Sequence, residues 1–488
     1  MNTEQLRILA TLISLSLCAC GGGTSQSSIN QPASSGSSPN PVPTISALSP
    51  SCAPAGEQFV DVVDNQLTVI GQTDFATGSV VRWNGSDRPT TNGSGNWVTA
   101  QISASDIATA GTAVVTVFNP APGGGNSNSL TFTITTGAVD PQSIAVDPAG
   151  KFAYVLNGGC DGGVSGYVSM YTINSTTGAL ASIGRPVPTY GYGDYAGSVS
   201  VAPSGKFAYV TNSGDPWDDG DGSVEMYSID ATTGALTSTG TINGSCPGLC
   251  FPSSMVLDPS GKFAYVVTGA GGAGNPYNVA MYTIDATTGA LTSIGTIAAA
   301  GGVPIYVAVD PAGKFVYVAT ANATPGSAGS LSMYAINATT GALASIGTIA
   351  AGADPVSVAV DPAGKFAYVT NSGSNDVSMY TIDATTGALT SMGTIAAGTD
   401  PVSVAVDPAG KFAYVTNSGS NDVSMYAINS ITGSLTLIGM TAAGLSPTSI
   451  AIHPSGQFAY VTNSGSNDVS MYSIGSTGTL TLIATIGT

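Results

Sequence analysis

Acid–base and nucleophilic chemistry draw on a short set of side chains, and this 488-residue chain holds few of them. It has one histidine, His453. Beyond the N-terminal segment its glutamates are Glu57 and Glu225 and its arginines are Arg82, Arg88 and Arg185. All six lysines, Lys151, Lys206, Lys262, Lys314, Lys365 and Lys411, fall at one position of a recurring segment, just after a Gly-containing turn. A general acid or base is usually a His, a carboxyl with a raised pKa or a lysine with a lowered one. The inventory therefore argues for binding or a structural role over catalysis. His453 stands where the recurring turn elsewhere carries Asp, and reads as a turn residue.

A second group of residues could bind without reacting. Tyr190, Tyr192, Tyr195, Trp217, Phe251 and Tyr277 are interleaved with Asp161, Asp194, Asp215, Asp218, Asp219 and Asp221 in the insertions that interrupt the recurring pattern. Rings beside carboxylates suit a sugar or a protein partner, because the ring gives contact area and the carboxylate orients hydroxyls or amides. The same rings could instead cover the small cores of their own loops. The run Asp215-Pro-Trp-Asp-Asp-Gly-Asp-Gly-Ser fits two readings. One is a Ca²⁺ loop through Asp215, Asp218, Asp219 and Asp221, with carboxylates and Gly turns that suit a hard cation. The other is a solvated acidic loop, since the spacing departs from an EF-hand. No other cofactor is expected.

Cysteines place the chain in a compartment. Cys246 and Cys250 share one loop, close enough for a disulfide in an oxidising setting. Cys52 and Cys160 fall in different units, which is compatible with free thiols and leaves their pairing open; metal binding is not expected of them without histidines nearby. At the N-terminus a short segment with Arg7 precedes an apolar run, Ile8 to Leu17, too short to span a bilayer and typical of an export signal. Leu17-Cys18-Ala19-Cys20-Gly21 then resembles a bacterial lipobox, which implies acylation of Cys20 after removal of residues 1–19. Residues 20–43 are rich in Ser, Gly, Pro and Asn, a composition that behaves as a flexible tether. Export across the inner membrane and a lipid anchor in the outer membrane or at the cell surface are thus expected, with membrane contact by the anchor only.

Composition narrows the partners. Charged residues make up 8% of the chain and the formal net charge is −18. Nucleic acid is disfavoured, because few cations exist to displace phosphate counterions. Scarce Lys and Glu beside abundant Thr, Val, Ser and Tyr point to strands throughout.

Those strands fall into two units. Residues 44–136 alternate short apolar runs with Gly and Asn turns, as a sandwich does. The order Ile45-Ser-Ala-Leu-Ser-Pro, Pro54-Ala-Gly, Arg82-Trp-Asn-Gly, Asp106-Ile-Ala-Thr-Ala-Gly and Asn119-Pro-Ala-Pro-Gly-Gly-Gly resembles the immunoglobulin-like IPT/TIG domain, which implies a spacer or interaction module. Trp83 and Trp97 read as packing residues. From 137 to 488 one pattern recurs seven times: an apolar strand, Asp-Pro-Ala-Gly-Lys, Phe-Ala-Tyr-Val-Thr-Asn, a variable loop, Val-Ser-Met-Tyr, a Thr-Gly turn and Leu-Thr-Ser-Ile-Gly. Its Phe-x-Tyr tyrosines are Tyr154, Tyr209, Tyr265, Tyr317, Tyr368, Tyr414 and Tyr460. A period of this length with four strands per unit is the signature of propeller blades.

The fold class expected is therefore all-β, an immunoglobulin-like sandwich followed by a seven-bladed β-propeller. Small residues at the start of each unit place that strand innermost. The last unit ends on its own outer strand, so the ring should close by face packing, with Leu130 to Thr135 as an alternative closing strand. Tyr-Val-Thr-Asn at Tyr368, Tyr414 and Tyr460 resembles YVTN-repeat propellers, which are similar to archaeal surface-layer proteins and to lactonases of the 6-phosphogluconolactonase type. That resemblance implies a hydrolase using His, Glu and Arg at a channel mouth, a cluster with no counterpart in the motifs here. Pro401 to Tyr426 repeats Pro355 to Tyr380 letter for letter, which marks blades five and six as scaffold. The insertions should all emerge at one end of the ring and form the binding face. The reading that follows is an envelope scaffold for a surface polysaccharide or protein, with a lactonase-like hydrolase and a surface-layer component as alternatives.

Overall fold

The computed structural model describes residues 39–49, 52–55, 66–72, 75–92, 96–135, 140–158, 166–184, 186–189, 196–213, 222–243, 251–269, 277–322 and 324–488, and all the regular structure in them is β. Before the repeats, two sheets face each other. One runs in the order Ile45–Ser49, Gln66–Gly71, Trp97–Gln101, Thr90–Asn92. The other runs Cys52–Pro54, Leu130–Thr135, Gly111–Asn119, Val80–Trp83, Ser86–Asp87. Burial alternates along Gln66–Gly71 and Gly111–Asn119, so each strand sends every second side chain inward. Leu67, Val69, Val98, Val81, Val115 and Phe132 meet there in one core. Trp83 is buried in it with its ring centroid 4.9 Å from that of Phe132, a packing role as expected. Cys52, whose pairing the sequence left open, is disulfide-bonded rather than free; every other cysteine lies outside the described residues.

The seven repeats form seven antiparallel meanders of four strands, the first with an additional short strand. Each runs from the axis outward. In blade five these strands are Pro355–Val360, Phe366–Asn371, Asp376–Ile382 and Leu389–Ala396. The second strand is buried at every residue, because both faces of a blade are covered by its neighbours. After its first residue the outer strand is exposed, apart from the half-buried Met392 and Ile395. Between the first two strands, Gly364 N–H donates to Asp361 O at 2.9 Å, and the Asp361 carboxylate accepts from the N–H groups of Lys365 and Phe366 at 2.6 and 2.7 Å. This aspartate is buried and spent on its own turn. The Asp-Ala-Thr-Thr-Gly hairpin places Gly387 at φ 72°, as the turn requires.

Blades are joined by one repeated contact. The hydroxyl of the Phe-x-Tyr tyrosine donates to the glycine carbonyl in the outer hairpin of the next blade: Tyr154 to Gly234, Tyr209 to Gly289, Tyr265 to Gly341, Tyr317 to Gly387, Tyr368 to Gly433 and Tyr414 to Gly478, all at 2.8 to 3.0 Å. Tyr460 of blade seven completes the ring on Gly178 of blade one at 2.9 Å. The phenylalanine two residues earlier lies against the same glycine: a Cβ on Gly387 would sit 2.3 Å from Phe315 Cδ1. Closure uses no borrowed strand. Leu480–Gly487 pairs within blade seven, and Leu130–Thr135 pairs within the sandwich. Face packing of Ile144, Val155 and Tyr171 on Tyr460, Val469 and Met471 forms the seam instead.

Replacing Tyr317 by Phe should therefore destabilise the propeller by about 1–3 kcal/mol, since the carbonyl of Gly387 is left without its donor. Gly387→Ala should cost more, because it adds the Phe315 clash to a left-handed backbone; urea denaturation followed by tyrosine fluorescence ranks the two. A second expectation concerns pH. Burial pushes the phenols of Tyr171, Tyr209, Tyr282 and Tyr426 up to about 12. A raised phenol pKa gives stability that is complete below the ordinary value near 10 and is lost as pH climbs from there through the folded value. Absorbance at 295 nm and circular dichroism should change together above pH ~10; tyrosine ionisation complete near 10 with the fold intact would contradict this.

Candidate functional site

With the inner strand first in every meander, the Asp-Pro-Ala-Gly and Thr-Thr-Gly turns lie at one end of the ring. The loops after each second strand and the connections between blades lie at the other. All the long insertions belong to this second end, the loop end. The axial channel that opens there is lined by the seven inner strands: Pro141–Val146, Ala196–Val201, Pro252–Leu257, Val303–Val309, Pro355–Val360, Pro401–Val406 and Pro447–Ile452. None carries a His, Asp, Glu, Lys or Arg.

Their hydroxyls are mostly engaged between blades. Ser143, Ser198, Ser254 and Ser357 each accept an N–H from the inner strand of the next blade, at 3.0 to 3.4 Å. Ser253 donates to Ile305 O, Ser200 to Met255 O and Thr448 to Pro141 O, at 3.1, 2.8 and 2.7 Å. Only blade four breaks the pattern. Tyr306 occupies the position held by Ser143, Ser198, Ser254, Ser357, Ser403 and Ser449 in the other blades. Its side chain is 38% exposed, yet the protein around it desolvates the phenol and pushes its pKa up. A residue facing an axial channel combines these two properties, solvent contact along one direction and protein on every other. Its ring thus presents a large apolar face and a hydroxyl without a protein partner. The sequence held this signal, a lone Tyr among six aligned serines, but only the position of the strand gives it meaning.

The channel mouth at the loop end is built on strained backbone. Asp140, Phe251, Asp354, Asp400 and Ser446 each precede the proline opening an inner strand, and each has a left-handed φ between 48° and 61°. Such a conformation costs a non-glycine residue about 1–2 kcal/mol. The neighbouring blade holds three of them in place: Asn467, Asn375 and Asn421 accept the N–H groups of Asp140, Asp400 and Ser446 at 2.9, 2.7 and 2.7 Å. Carboxylates are thereby set around the mouth at Asp140, Asp354 and Asp400, three residues that motif reading passed over.

Blades one and two differ from the rest at this end. In blades five to seven the second-strand asparagines, Asn371, Asn417 and Asn463, accept at Oδ1 from Gly352, Gly398 and Gly444 N–H, each at 3.1 Å. Asn157 of blade one follows the sandwich rather than a blade, and its buried Oδ1 has no partner; nor does the buried Oγ1 of Thr189. In blade two, Glu225 replaces the serine found at this position in five other blades and is fully buried, accepting from Asn212 Nδ2 at 2.7 Å and from the Tyr227 hydroxyl.

Of the sequence-nominated binding residues, Tyr277 is half-buried, and its backbone carbonyl accepts from Ala299 N–H at 2.8 Å beside the blade-three loop. Tyr190, Tyr192, Tyr195, Trp217, the Asp215, Asp218, Asp219 and Asp221 set, Cys246, Cys250, Cys160 and Cys20 lie outside the described residues. Among the described residues no group of three or more His, Cys, Asp or Glu is placed to hold a metal. His453 is a buried turn residue: Nε2 donates to Gly150 O across the seam at 2.9 Å and Nδ1 accepts from Ser455 N–H at 3.1 Å. Two arginines are also committed within the sandwich. Arg82 pairs with Asp87 at 2.7 Å, and Arg88 pairs with Asp106. Burial works to raise the Asp106 pKa, but the Arg88 and Ser103 hydrogen bonds outweigh it and hold the carboxyl below its ordinary value.

Seven meanders around a channel whose loops gather at one end define a seven-bladed β-propeller with a single elaborated face. The lactonase, seven-bladed β-propeller family matches residues 107–266, 246–324, 307–406 and 395–486. With more than half of its length matched, the chain belongs to that family. Among solved structures it is similar to a periplasmic gluconolactonase of Pseudomonas aeruginosa (18% identity, TM-score 0.58, 69% of this chain and 96% of the other) and to a candidate 6-phosphogluconolactonase of Bacteroides uniformis (19%, 0.59, 69% and 96%). It is also similar to the hydrazine synthase of Kuenenia stuttgartiensis (20%, 0.52, 70% and 97%). At these identities the likeness is one of fold, and one fold hosts unlike chemistries. The uncharacterized protein YwhL of Bacillus subtilis is 30% identical over 129 residues, which is 26% of this chain and 22% of the length of that relative.

Tyr306→Ser makes blade four conform to the other six and should leave the thermal midpoint within a few degrees. Nitration by tetranitromethane, which needs solvent contact, should lose one modified tyrosine in this variant; an unchanged count would remove Tyr306 from the channel.

Proposed function

We propose that this chain is a non-hydrolytic propeller scaffold that binds a polyhydroxylated ligand, a surface polysaccharide, at the loop-end mouth of its channel. The observation that carries the reading is the channel wall. Seven inner strands without one ionisable residue of the His, Asp, Glu, Lys or Arg type, and with most of their hydroxyls engaged between blades, offer an apolar ring at Tyr306 and no acid–base pair. Sugar rings pack on aromatic faces and their hydroxyls satisfy carboxylates and amides. The rim carboxylates Asp140, Asp354 and Asp400 supply acceptors suited to such hydroxyls. On this reading Tyr190, Tyr192, Tyr195, Trp217 and Tyr277 extend the surface outward, and Ca²⁺ at Asp215 to Asp221 orders one loop of it. A protein partner would use the same face. The N-terminal sandwich serves as an immunoglobulin-like IPT/TIG spacer, and acylation of Cys20 holds the molecule in the cell envelope.

Family membership favours a second reading, lactone hydrolysis at the same mouth, with Glu225 as its buried carboxyl. The two separate in one experiment. A glycan array with the full chain, with and without Ca²⁺, should capture a defined polysaccharide, and Tyr306→Ala should weaken capture by roughly tenfold, about 1.4 kcal/mol. Sugar-lactone hydrolysis, followed by proton release, should not exceed the uncatalysed rate. Turnover that Glu225→Gln abolishes, without glycan capture, would replace the scaffold reading by the hydrolase; neither capture nor turnover would move the weight to a surface-layer component.

A further inference from the structure

Around the ring, the outer strands have one composition until blades six and seven. Opposite the third-strand tyrosine, the outer strand carries Ser182, Ser238, Ser293, Ser345 and Ser391 in blades one to five, then Leu437 and Leu482. Thr241, Thr296, Thr348 and Thr394 give way to Met440 in the same register. In the outer hairpin Thr385 of blade five becomes Ile431 of blade six. None of the new side chains is buried: Leu437 is 48% exposed, Met440 47%, Leu482 54% and Ile431 87%. Ile483 is 38% exposed as well, although its counterparts Ile183, Ile294, Ile346, Met392 and Ile438 pack against the next blade. Because blades five and six are identical from the opening proline to the third-strand tyrosine, Pro355 to Tyr380 and Pro401 to Tyr426, these changes have no origin in blade packing. They alter only what the rim shows to the outside.

The same rim is without charge. Residues 428–445 and 474–488 contain no Asp, Glu, Lys or Arg, and the outer hairpins begin with Asn429 and Gly475 where blades two, three and five have Asp230, Asp285 and Asp383. On a chain of net charge −18 this is a stretch that another acidic molecule can approach without repulsion. Both outer strands are also the last of their sheets, so one edge of each presents backbone N–H and C=O groups outward. Neither Lys nor Pro nor an inward charge guards these edges; the one guard present is a bulge, at Ile438 in the first strand and at Ile483 in the second. Hydrocarbon does not satisfy an open sheet edge. A second strand edge can. We propose that the rim of blades six and seven is a self-association surface, on which two copies of this chain pair edge to edge about a two-fold axis. In such a pair each patch meets its own equivalent, apolar side chains against apolar side chains and backbone against backbone.

The test uses the full chain and the variant Leu437→Ser, Met440→Thr, Leu482→Ser. These are the residues blade five already carries in the same register, so the variant retains a strand that folds. Sedimentation velocity over a hundredfold concentration range should show a dimer for the parent chain and at least about tenfold weaker association for the variant. Hydrogen exchange should show protection of the amides in 435–442 or 480–487 that appears only as the dimer forms. A parent chain monomeric throughout, a variant that associates equally well, or a dimer without added edge protection would each overturn the proposal. Flotation with neutral phosphatidylcholine vesicles, lost in the variant and without any dimer, would assign the rim to a bilayer instead.

Discussion

Seven times around the ring a phenol reaches across a blade interface to the carbonyl of a glycine, and a phenylalanine two residues before it occupies the space that a side chain on that glycine would need. The two halves of this contact depend on each other. The glycine must be left-handed to make its hairpin and bare to admit the ring, and the hydroxyl then pays back the buried carbonyl. Because the donor is in one blade and the acceptor in the next, no single repeat completes it. Only a closed ring satisfies all seven, and the bond from Tyr460 to Gly178 makes the first and last blades equivalent to any other pair.

This arrangement divides the molecule by end. The turn end carries the repeated contacts, the buried turn aspartates and His453, whose Nε2 donates across the seam to Gly150 O. Its polar groups are consumed by structure. At the loop end the same repeats lead into left-handed residues before five of the inner strands and into insertions of unequal length. Strain and irregularity gather there because the tyrosine–glycine contact does not reach that end, and loops on a rigid frame are where proteins most often place binding residues.

Departures from the repeat then acquire meaning according to where they fall. Tyr306 for Ser changes the channel wall, Glu225 for Ser puts a carboxyl into the interior beneath the loop end, and Leu437, Met440 and Leu482 for Ser and Thr change the outer rim. Each leaves the inter-blade contact intact. Tyr306 does replace a serine that in four other blades accepts an N–H from the next inner strand, a local loss that a repeat protein tolerates because each blade touches only its neighbours.

The sequence by itself determined the all-β class, the seven blades, the innermost position of the first strand and the structural fate of His453. All of these follow from local rules: strand alternation, turn chemistry and a period read directly from Phe-x-Tyr. Two paired sheets ahead of the repeats were legible for the same reason. What only the tertiary structure decided were relations between blades. That Tyr368 and Gly433, 65 residues apart, form one bond cannot be read from either segment, because both look like complete hairpins alone. The closing of the ring without a borrowed strand, the engagement of the channel serines, the unpartnered oxygens of Asn157 and Thr189 and the bonded state of Cys52 belong to the same group. Each depends on which surfaces meet when seven blades share an axis, and sequence periodicity carries no information about contacts that exist only after the ring has closed.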